Sequence, residues 1–86
     1  MSPKRKAAGK NVTGRRIREA RLFRQKPVSQ VELIAKLARR GIYLDQTSLS
    51  RIERRERLVA DYELISIARC LKVSIAWLCG ERGAKP

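Results

Sequence analysis

A short stretch of the chain, residues 46–54, concentrates polar and basic side chains at intervals that a helix would bring onto one face. With about 100° between successive residues of an α-helix, Leu49 and Ile52 would point to one side. Hydrogen-bonding side chains, two of them arginines, would fill the opposite side. They are Gln46, Thr47, Ser50, Arg51 and Arg54. Base edges and phosphates of DNA require donors, acceptors and cations of this kind, so the pattern predicts a helix that reads DNA.

Patterns of catalytic and metal-binding residues are absent from the sequence. It has no histidine, and its 8 carboxylates mostly stand where they would cap helices or form ion pairs on helix surfaces. Cys70 and Cys79 have no base partner and no C-x-x-C spacing. We therefore predict no enzyme activity, no cofactor and no metal site. The cysteines are interpreted as reduced, buried thiols, with a disulfide or a metal pair as the alternative.

The charge of the chain favours a polyanionic partner. Lys and Arg number 21 against 8 Asp and Glu, which gives a net charge of +13. Residues 1–57 hold 17 of the basic and 5 of the acidic residues, whereas residues 58–86 hold 4 and 3. We interpret the basic part as the DNA-facing end and the nearly neutral part as a surface for packing or self-association.

No segment of the sequence predicts a membrane or secretory role. No apolar run approaches the roughly 18 residues that a bilayer requires, and the N-terminus lacks the apolar region of a signal peptide. We therefore expect a cytoplasmic protein without membrane contact.

The elements that would position the DNA-reading side chains follow a basic N-terminal tail. Residues 1–11 include Pro, Gly and four basic residues without apolar periodicity, and we expect them to be disordered. The tail is open to three interpretations: an arm on phosphates or in the minor groove, a nonspecific tether, or a segment without a role. A first helix is predicted over residues 13–24, with Thr13 as its N-cap. Four of its arginines are expected to point outward: Arg15, Arg16, Arg18 and Arg24. Pro27 prevents its continuation.

Two further helices, joined by a glycine turn, form a predicted helix-turn-helix. The first begins at Ser29, which forms a capping box with Glu32. Its apolar stripe ends at Gly41, which suits a left-handed position after the helix. Asp45 is the expected N-cap of the DNA-reading helix, because the helix dipole favours a carboxylate there. A helix pair with such a second face is typical of DNA-binding proteins.

The rest of the chain predicts two more helices and no strand. The fourth helix covers residues 61–71. Its inward side chains are expected to be Leu64, Ile65, Ala68 and Leu71. Ser74 caps a short fifth helix, in which Trp77 is interpreted as a core or dimer-interface residue, and residues 81–86 form a flexible tail. We therefore expect an all-α, compact five-helix bundle over residues 12–80.

Four stretches of the chain resemble Cro/repressor-type regulators, the family also called xenobiotic-response-element-like. They are GRRIREAR (14–21), SQVELIAKLA (29–38), TSLSRIERRER (47–57) and DYELISIARCLKVSIAWLCG (61–80). None is specific alone, but together they occur in the order of the family. The resemblance implies a lambda-repressor-like domain that binds operator DNA in the major groove, usually as a homodimer on an inverted repeat. It also implies a bacterial or phage-type cytoplasmic protein that is associated with the nucleoid when bound.

The resemblance assigns base reading to the third predicted helix. Gln46, Thr47 and Arg51 match the base-reading positions of the family, and Ser50 lies between them on the same face. Arg54 is interpreted as a further DNA contact. Other arginines are interpreted as phosphate contacts or as plain solubilising charge, which would set affinity and salt dependence. These others are Arg15, Arg16, Arg39, Arg40, Arg55 and Arg57.

The resemblance also assigns supporting roles to residues outside that face. Gln30 matches a glutamine that contacts a phosphate and braces the reading helix, and Ser29 matches a neighbour whose backbone amide faces a phosphate. Arg21 and Glu53 match an ion pair between the first and third helices. The sequence itself also supports this ion pair, because an unpaired Glu53 carboxylate at the edge of the apolar face of the third helix would be costly.

The chain departs from the family pattern in its turns. The connections before the second and third predicted helices are longer than usual, as in a branch of the family with a lengthened turn. Arg55 stands where glycine is common, so that turn cannot rely on glycine. Ala60 replaces the usual threonine cap of the fourth helix, and Asp61 is expected to cap instead.

The sequence thus predicts a sequence-specific double-stranded DNA-binding regulator of transcription, most simply a repressor that occupies an operator. The alternative is an antitoxin-like or phage-derived module that binds another protein and has secondary DNA binding. An apolar surface on the last two helices that is not used for self-association would favour the alternative.

Overall fold

Five helices build the structure, a computed structural model that describes residues 9–86. They are α1 (Gly14–Leu22), α2 (Gln30–Arg39), α3 (Gln46–Glu53), α4 (Asp61–Leu71) and α5 (Ile75–Leu78). This part of the chain contains no strand, and the all-helical prediction is confirmed. None of these helices is long and apolar enough to cross a bilayer. Most of the predicted N-terminal tail, residues 1–8, lies outside the described residues.

The core lies where α1 and α2 meet the other helices. α2 packs against α3 and α4, and α1 packs against α3, α4 and α5. Each helix contributes at least one fully buried side chain. These side chains are Ile17, Leu33, Leu37, Leu49, Ile52, Ile67, Leu71 and Leu78. Each helix thus turns one apolar stripe inward, and the removal of these stripes from water drives the association of the helices.

The buried face of α4 differs from the prediction by one side chain. Ile65, expected to lie inward, is 39% exposed, whereas Ile67 is fully buried. Leu64 and Leu71 fit both versions of the stripe, because residues three, four and seven positions apart share a helix face. Packing against α1, α2 and α5 decides between the two isoleucines.

The predicted caps of α2, α3 and α5 are confirmed. Ser29 Oγ accepts a hydrogen bond from the Glu32 amide at 3.0 Å, and Glu32 Oε1 accepts one from the Ser29 amide at 2.9 Å. Asp45 Oδ1 accepts from the Ser48 amide at 2.7 Å, and Ser74 Oγ caps α5 in the same way. These bonds satisfy amides that the helices themselves leave without acceptors.

The starts of α1 and α4 are capped by residues other than those predicted. Thr13 precedes α1, but its buried hydroxyl makes no capping bond. Asn11 Oδ1 instead accepts from the amides of Thr13 and the residue after it, at 3.1 and 2.7 Å. Asp61 does not cap α4, because Ala60 occupies the N-cap position and Glu63 Oε1 accepts from its amide at 3.0 Å.

α5 and the residues after it are attached to α1 and to one another. Arg16, predicted to point outward, places its guanidinium 4.4 Å from the centroid of the Trp77 ring, a favourable cation–π distance. Ser74 Oγ donates to the Lys85 carbonyl at 2.7 Å, so residues predicted as a flexible tail are tied to the start of α5. Cys79, predicted to be buried, is an exposed free thiol.

Candidate nucleic-acid interface

α3 presents a polar stripe to solvent. It packs against α1 and α2 and, within residues 9–86, makes no packing contact with α4 or α5. Leu49, Ile52 and Glu53 form its buried side. The five side chains predicted for DNA contact lie away from that side; four are exposed and Ser50 is half-buried. They are Gln46, Thr47, Ser50, Arg51 and Arg54. A shallow depression of about 340 Å³ follows this stripe.

The Gln30 side chain braces one edge of the stripe. Its Oε1 accepts hydrogen bonds from Gln46 Nε2 at 3.2 Å and from Ser50 Oγ at 3.0 Å. Its Nε2 donates to Glu53 Oε1 at 3.2 Å. One side chain of α2 therefore orients two residues of the stripe and is itself held by the buried side of α3.

Beneath the stripe, Arg21 of α1 and Glu53 of α3 form a buried ion pair. Arg21 Nε donates to Glu53 Oε2 at 2.8 Å and Arg21 Nη2 donates to Glu53 Oε1 at 2.9 Å. The remaining terminal nitrogen of Arg21 donates to the Val28 carbonyl at 3.0 Å. Paired bonds between a guanidinium and a carboxylate fix distance and orientation together. The pair therefore sets how α3 lies on α1 and on the segment before α2.

The start of α2 differs in part from its predicted role. The Ser29 amide, expected to face a phosphate, donates to Glu32, and the bonds with Ser29 lower the pKa of that carboxyl. The next two amides, those of Gln30 and Val31, have no hydrogen-bond partner within the described residues. They open onto a hollow of about 490 Å³ that Gln46 also lines. Amides at a helix N-terminus favour anions.

The arginines that follow α3 are not equivalent. Arg54 pairs with Glu56 through two bonds of 3.2 Å, and both side chains are more than half exposed. The hydrogen bond from Arg54 lowers the pKa of Glu56. Arg57 donates to Glu63 at 3.0 and 3.2 Å and to the Leu58 carbonyl at 2.9 Å. Arg57, predicted as a phosphate contact, therefore joins the α3–α4 connection to a buried carboxylate.

Arg55 supports a tight turn after α3. Its φ is 64°, a left-handed conformation that residues with a Cβ adopt at some cost. The sequence predicted that this turn could not use glycine, and the structure shows arginine in the glycine-like conformation. The Arg55 carbonyl accepts a hydrogen bond from the Lys10 amide at 3.0 Å.

Residues before α1 hold the C-terminal end of α3, an attachment that the sequence did not predict. Asn11 Nδ2 donates to the carbonyls of Ile52 and Arg57 at 3.1 and 2.8 Å. Gly14 lies so close to α3 that a Cβ there would collide with the Ile52 carbonyl oxygen. Lys10 and Asn11, predicted to lie in a disordered tail, are hydrogen-bonded to the chain at this end of α3. The available signals were an asparagine before a helix and a glycine inside its first turn.

Arg51 is the cation of the stripe that forms no ion pair, although it lies near enough to Glu56 to help lower the pKa of that carboxyl. Within the described residues its side chain makes no hydrogen bond or ion pair, whereas Arg54 faces Glu56.

The residues that the structure describes contain no group of three His, Cys, Asp or Glu side chains arranged for a metal ion.

Comparisons of the chain with protein-family models, with curated proteins and with solved structures found no match. The chemistry and geometry of the site therefore carry the functional proposal.

Proposed function

We propose that this protein is a sequence-specific double-stranded DNA-binding regulator of transcription and that α3 is its reading helix. The observation that carries the proposal is the solvent-facing polar stripe of α3, which is braced by Gln30 and has at its edge an arginine, Arg51, that forms no ion pair within the described residues. α3 has 8 residues and is about 12 Å long at 1.5 Å per residue. The major groove of DNA is about 12 Å wide and admits such a helix.

The hydrogen bond between Gln46 and Gln30 fixes which groups of the Gln46 amide remain to contact a base. Nε2 of Gln46 donates one proton to Gln30 and keeps a second proton, while Oε1 stays open as an acceptor. This donor and acceptor match N7 and the N6 amino group of adenine. Because the amide cannot rotate without breaking the bond to Gln30, we expect Gln46 to prefer adenine.

The other members of the stripe supply contacts of different kinds. Arg51 has free donors for guanine, with a discrimination of about 1–3 kcal/mol for a bidentate contact. Arg54 can exchange the exposed Glu56 carboxylate for a phosphate, since exposed ion pairs contribute little. At the other end, the amides of Gln30 and Val31 and the positive end of α2 suit a phosphate. Base contacts and phosphate contacts thus lie along one surface.

Repression by occupation of an operator is the simplest mechanism for a domain of this size. Two copies on an inverted repeat would place their α3 helices in successive major grooves, about 34 Å apart. Apolar side chains away from α3 could support this homodimer. Tyr62 and Ile65 are 60% and 39% exposed on one face of α4, and Ile75 of α5 is 40% exposed.

The test is selection of bound sequences from a random duplex pool, followed by affinities for the selected and a scrambled duplex at several salt concentrations. We expect a preference of about 10³-fold or more and an inverted repeat among the selected sequences. Arg51→Ala should lose affinity for the selected duplex more than for the scrambled one. Arg69→Ala is the matched control, because Arg69 is an exposed arginine of α4, which does not touch α3. Equal binding to both duplexes would contradict sequence reading.

One observation favours a second candidate, a module that binds another protein. Phe23 is 77% exposed and borders an apolar hollow of about 330 Å³ with Leu71, Val73 and Trp77. A monomer in sedimentation, with or without the selected duplex, would remove the homodimer from the proposal. An absence of sequence preference in the same preparation would favour the second candidate.

A further inference from the structure

A basic depression lies at the C-terminal end of α3, on the side of the stripe away from Gln30. Its volume is about 640 Å³, and its lining residues are Lys10, Arg51, Glu56, Arg57 and Leu58. Gln46 and Ser50, which contact Gln30, lie at one edge of the stripe, and Arg51 lies at the other by helical rotation. The stripe is therefore flanked on both sides by groups that are able to bind anions.

Lys10 is fixed beside Arg51 by backbone bonds. Its amide donates to the Arg55 carbonyl at 3.0 Å. The next residue, Asn11, binds both the last turn of α3 and the chain beyond it through its side chain. The ammonium group is therefore carried on a backbone that is tied to α3 on both sides of the turn.

The cations around the depression differ in their partners. Glu56 pairs with Arg54 and lies close enough to Arg51 for that charge also to lower its pKa, and Arg57 pairs with Glu63. The side chains of Lys10 and Arg51 make no hydrogen bond or ion pair within the described residues, and both are exposed. Lys10 therefore adds, beside Arg51, a positive charge that forms no ion pair within the described residues, and an anion next to Lys10 would be favoured.

We infer that Lys10 binds a backbone phosphate of duplex DNA, at the edge of the stripe where Arg51 contacts a base. A helix in the major groove has a sugar-phosphate backbone on each side. The start of α2 and Gln30 would face one backbone, and Lys10 would face the other. This inference rests on the proposed function and adds a contact from the segment before α1, which sets affinity and orientation and carries no sequence preference of its own.

The test measures the affinity of the 86-residue chain for its selected duplex and for a scrambled duplex as salt is varied. Each phosphate contact contributes about 0.9 to the slope of log affinity against log salt. Lys10→Gln should lower the slope by about that amount on both duplexes. If the variant and the wild type bind equally at 1 M salt, this change in slope lowers the affinity at 0.15 M salt by about fivefold. Lys10→Arg should keep the wild-type slope. Lys85→Gln is the control, since Lys85 lies beside the start of α5, which does not touch α3.

Each outcome decides the inference. Parallel losses on both duplexes with an unchanged sequence preference would support it. A wild-type slope for Lys10→Gln would overturn it and leave the proposed function intact. A changed sequence preference with an unchanged slope would overturn it too, because Lys10 would then contact a base. If the wild-type protein itself binds neither duplex, the proposed function fails, and the phosphate site fails with it.

Discussion

Replacement of Glu53 by glutamine tests how α3 is fixed to the domain. Glu53→Gln keeps the size of the side chain but removes its charge, so the Arg21 guanidinium loses its buried counter-charge. The exposed fractions of the two side chains are 8% for Arg21 and 3% for Glu53. Of the two bonds between them, at 2.8 and 2.9 Å, only one can be kept, because an amide group offers one acceptor oxygen.

The expected cost follows from this geometry. Loss of one hydrogen bond to a charged group costs about 1.5–3 kcal/mol, and a broken buried ion pair costs about 3–5 kcal/mol. Since Arg21 keeps its bond to the Val28 carbonyl and one bond to residue 53, we expect a loss of about 3 kcal/mol in the free energy of unfolding. For a domain of this length, that corresponds to a decrease of about 12–24 °C in Tm.

The assay is thermal unfolding followed by far-ultraviolet circular dichroism. Glu56→Gln is a matched control, because Glu56 also pairs with an arginine through two bonds but that pair is more than half exposed. We expect it to leave Tm nearly unchanged. Equal decreases for the two variants would refute the reasoning, because burial would then not explain the cost. A decrease of only a few degrees for Glu53→Gln would refute the ion pair as the attachment of α3.

Three further predictions address packing, pH and the thiols. Gly14→Ala should lower Tm despite the better helix propensity of alanine, because its Cβ would collide with a carbonyl oxygen of α3; a higher Tm would mean that the helices separate without cost. Burial alone would raise the pKa of Glu63, but bonds from Arg57 and the Ala60 amide outweigh it and hold that pKa below 4.5. The stabilisation by ionised Glu63 is therefore present above about pH 4.5 and is lost as the pH falls through its folded pKa. Glu63→Gln should make the free energy of unfolding depend less on pH below that point, and an unchanged pH dependence would contradict this. An aromatic disulfide reagent should modify Cys79 quickly and Cys70 slowly, since Cys79 is exposed and burial raises the pKa of the Cys70 thiol; Cys79→Ser should remove the fast phase, and its persistence would count against this assignment.

The local features of this protein follow from its sequence alone. Capping depends on residues within three positions of each other, so Ser29 with Glu32, and Asp45 and Ser74, could be identified from spacing alone. Apolar periodicity identified five helices. Leu49 and Ile52 mark the apolar side of α3, so the polar side chains on the opposite side could be identified as a stripe. The pairing of Arg21 with Glu53 came from a resemblance, supported by the cost of an unpaired carboxylate at the edge of an apolar face.

The pairing of distant groups depends on the tertiary structure. The hydrogen bond from Lys10 to Arg55, the hydrogen bonds from Asn11 to Ile52 and Arg57, and the close approach of Gly14 to α3 join segments about forty residues apart, and no local rule predicts such pairs. Tertiary packing likewise decides that Ile67 is buried instead of Ile65, and that Arg57 pairs with Glu63. Periodicity and charge restrict each residue to a face of its helix, whereas its partner is fixed when the helices pack and every buried polar group must find a bond.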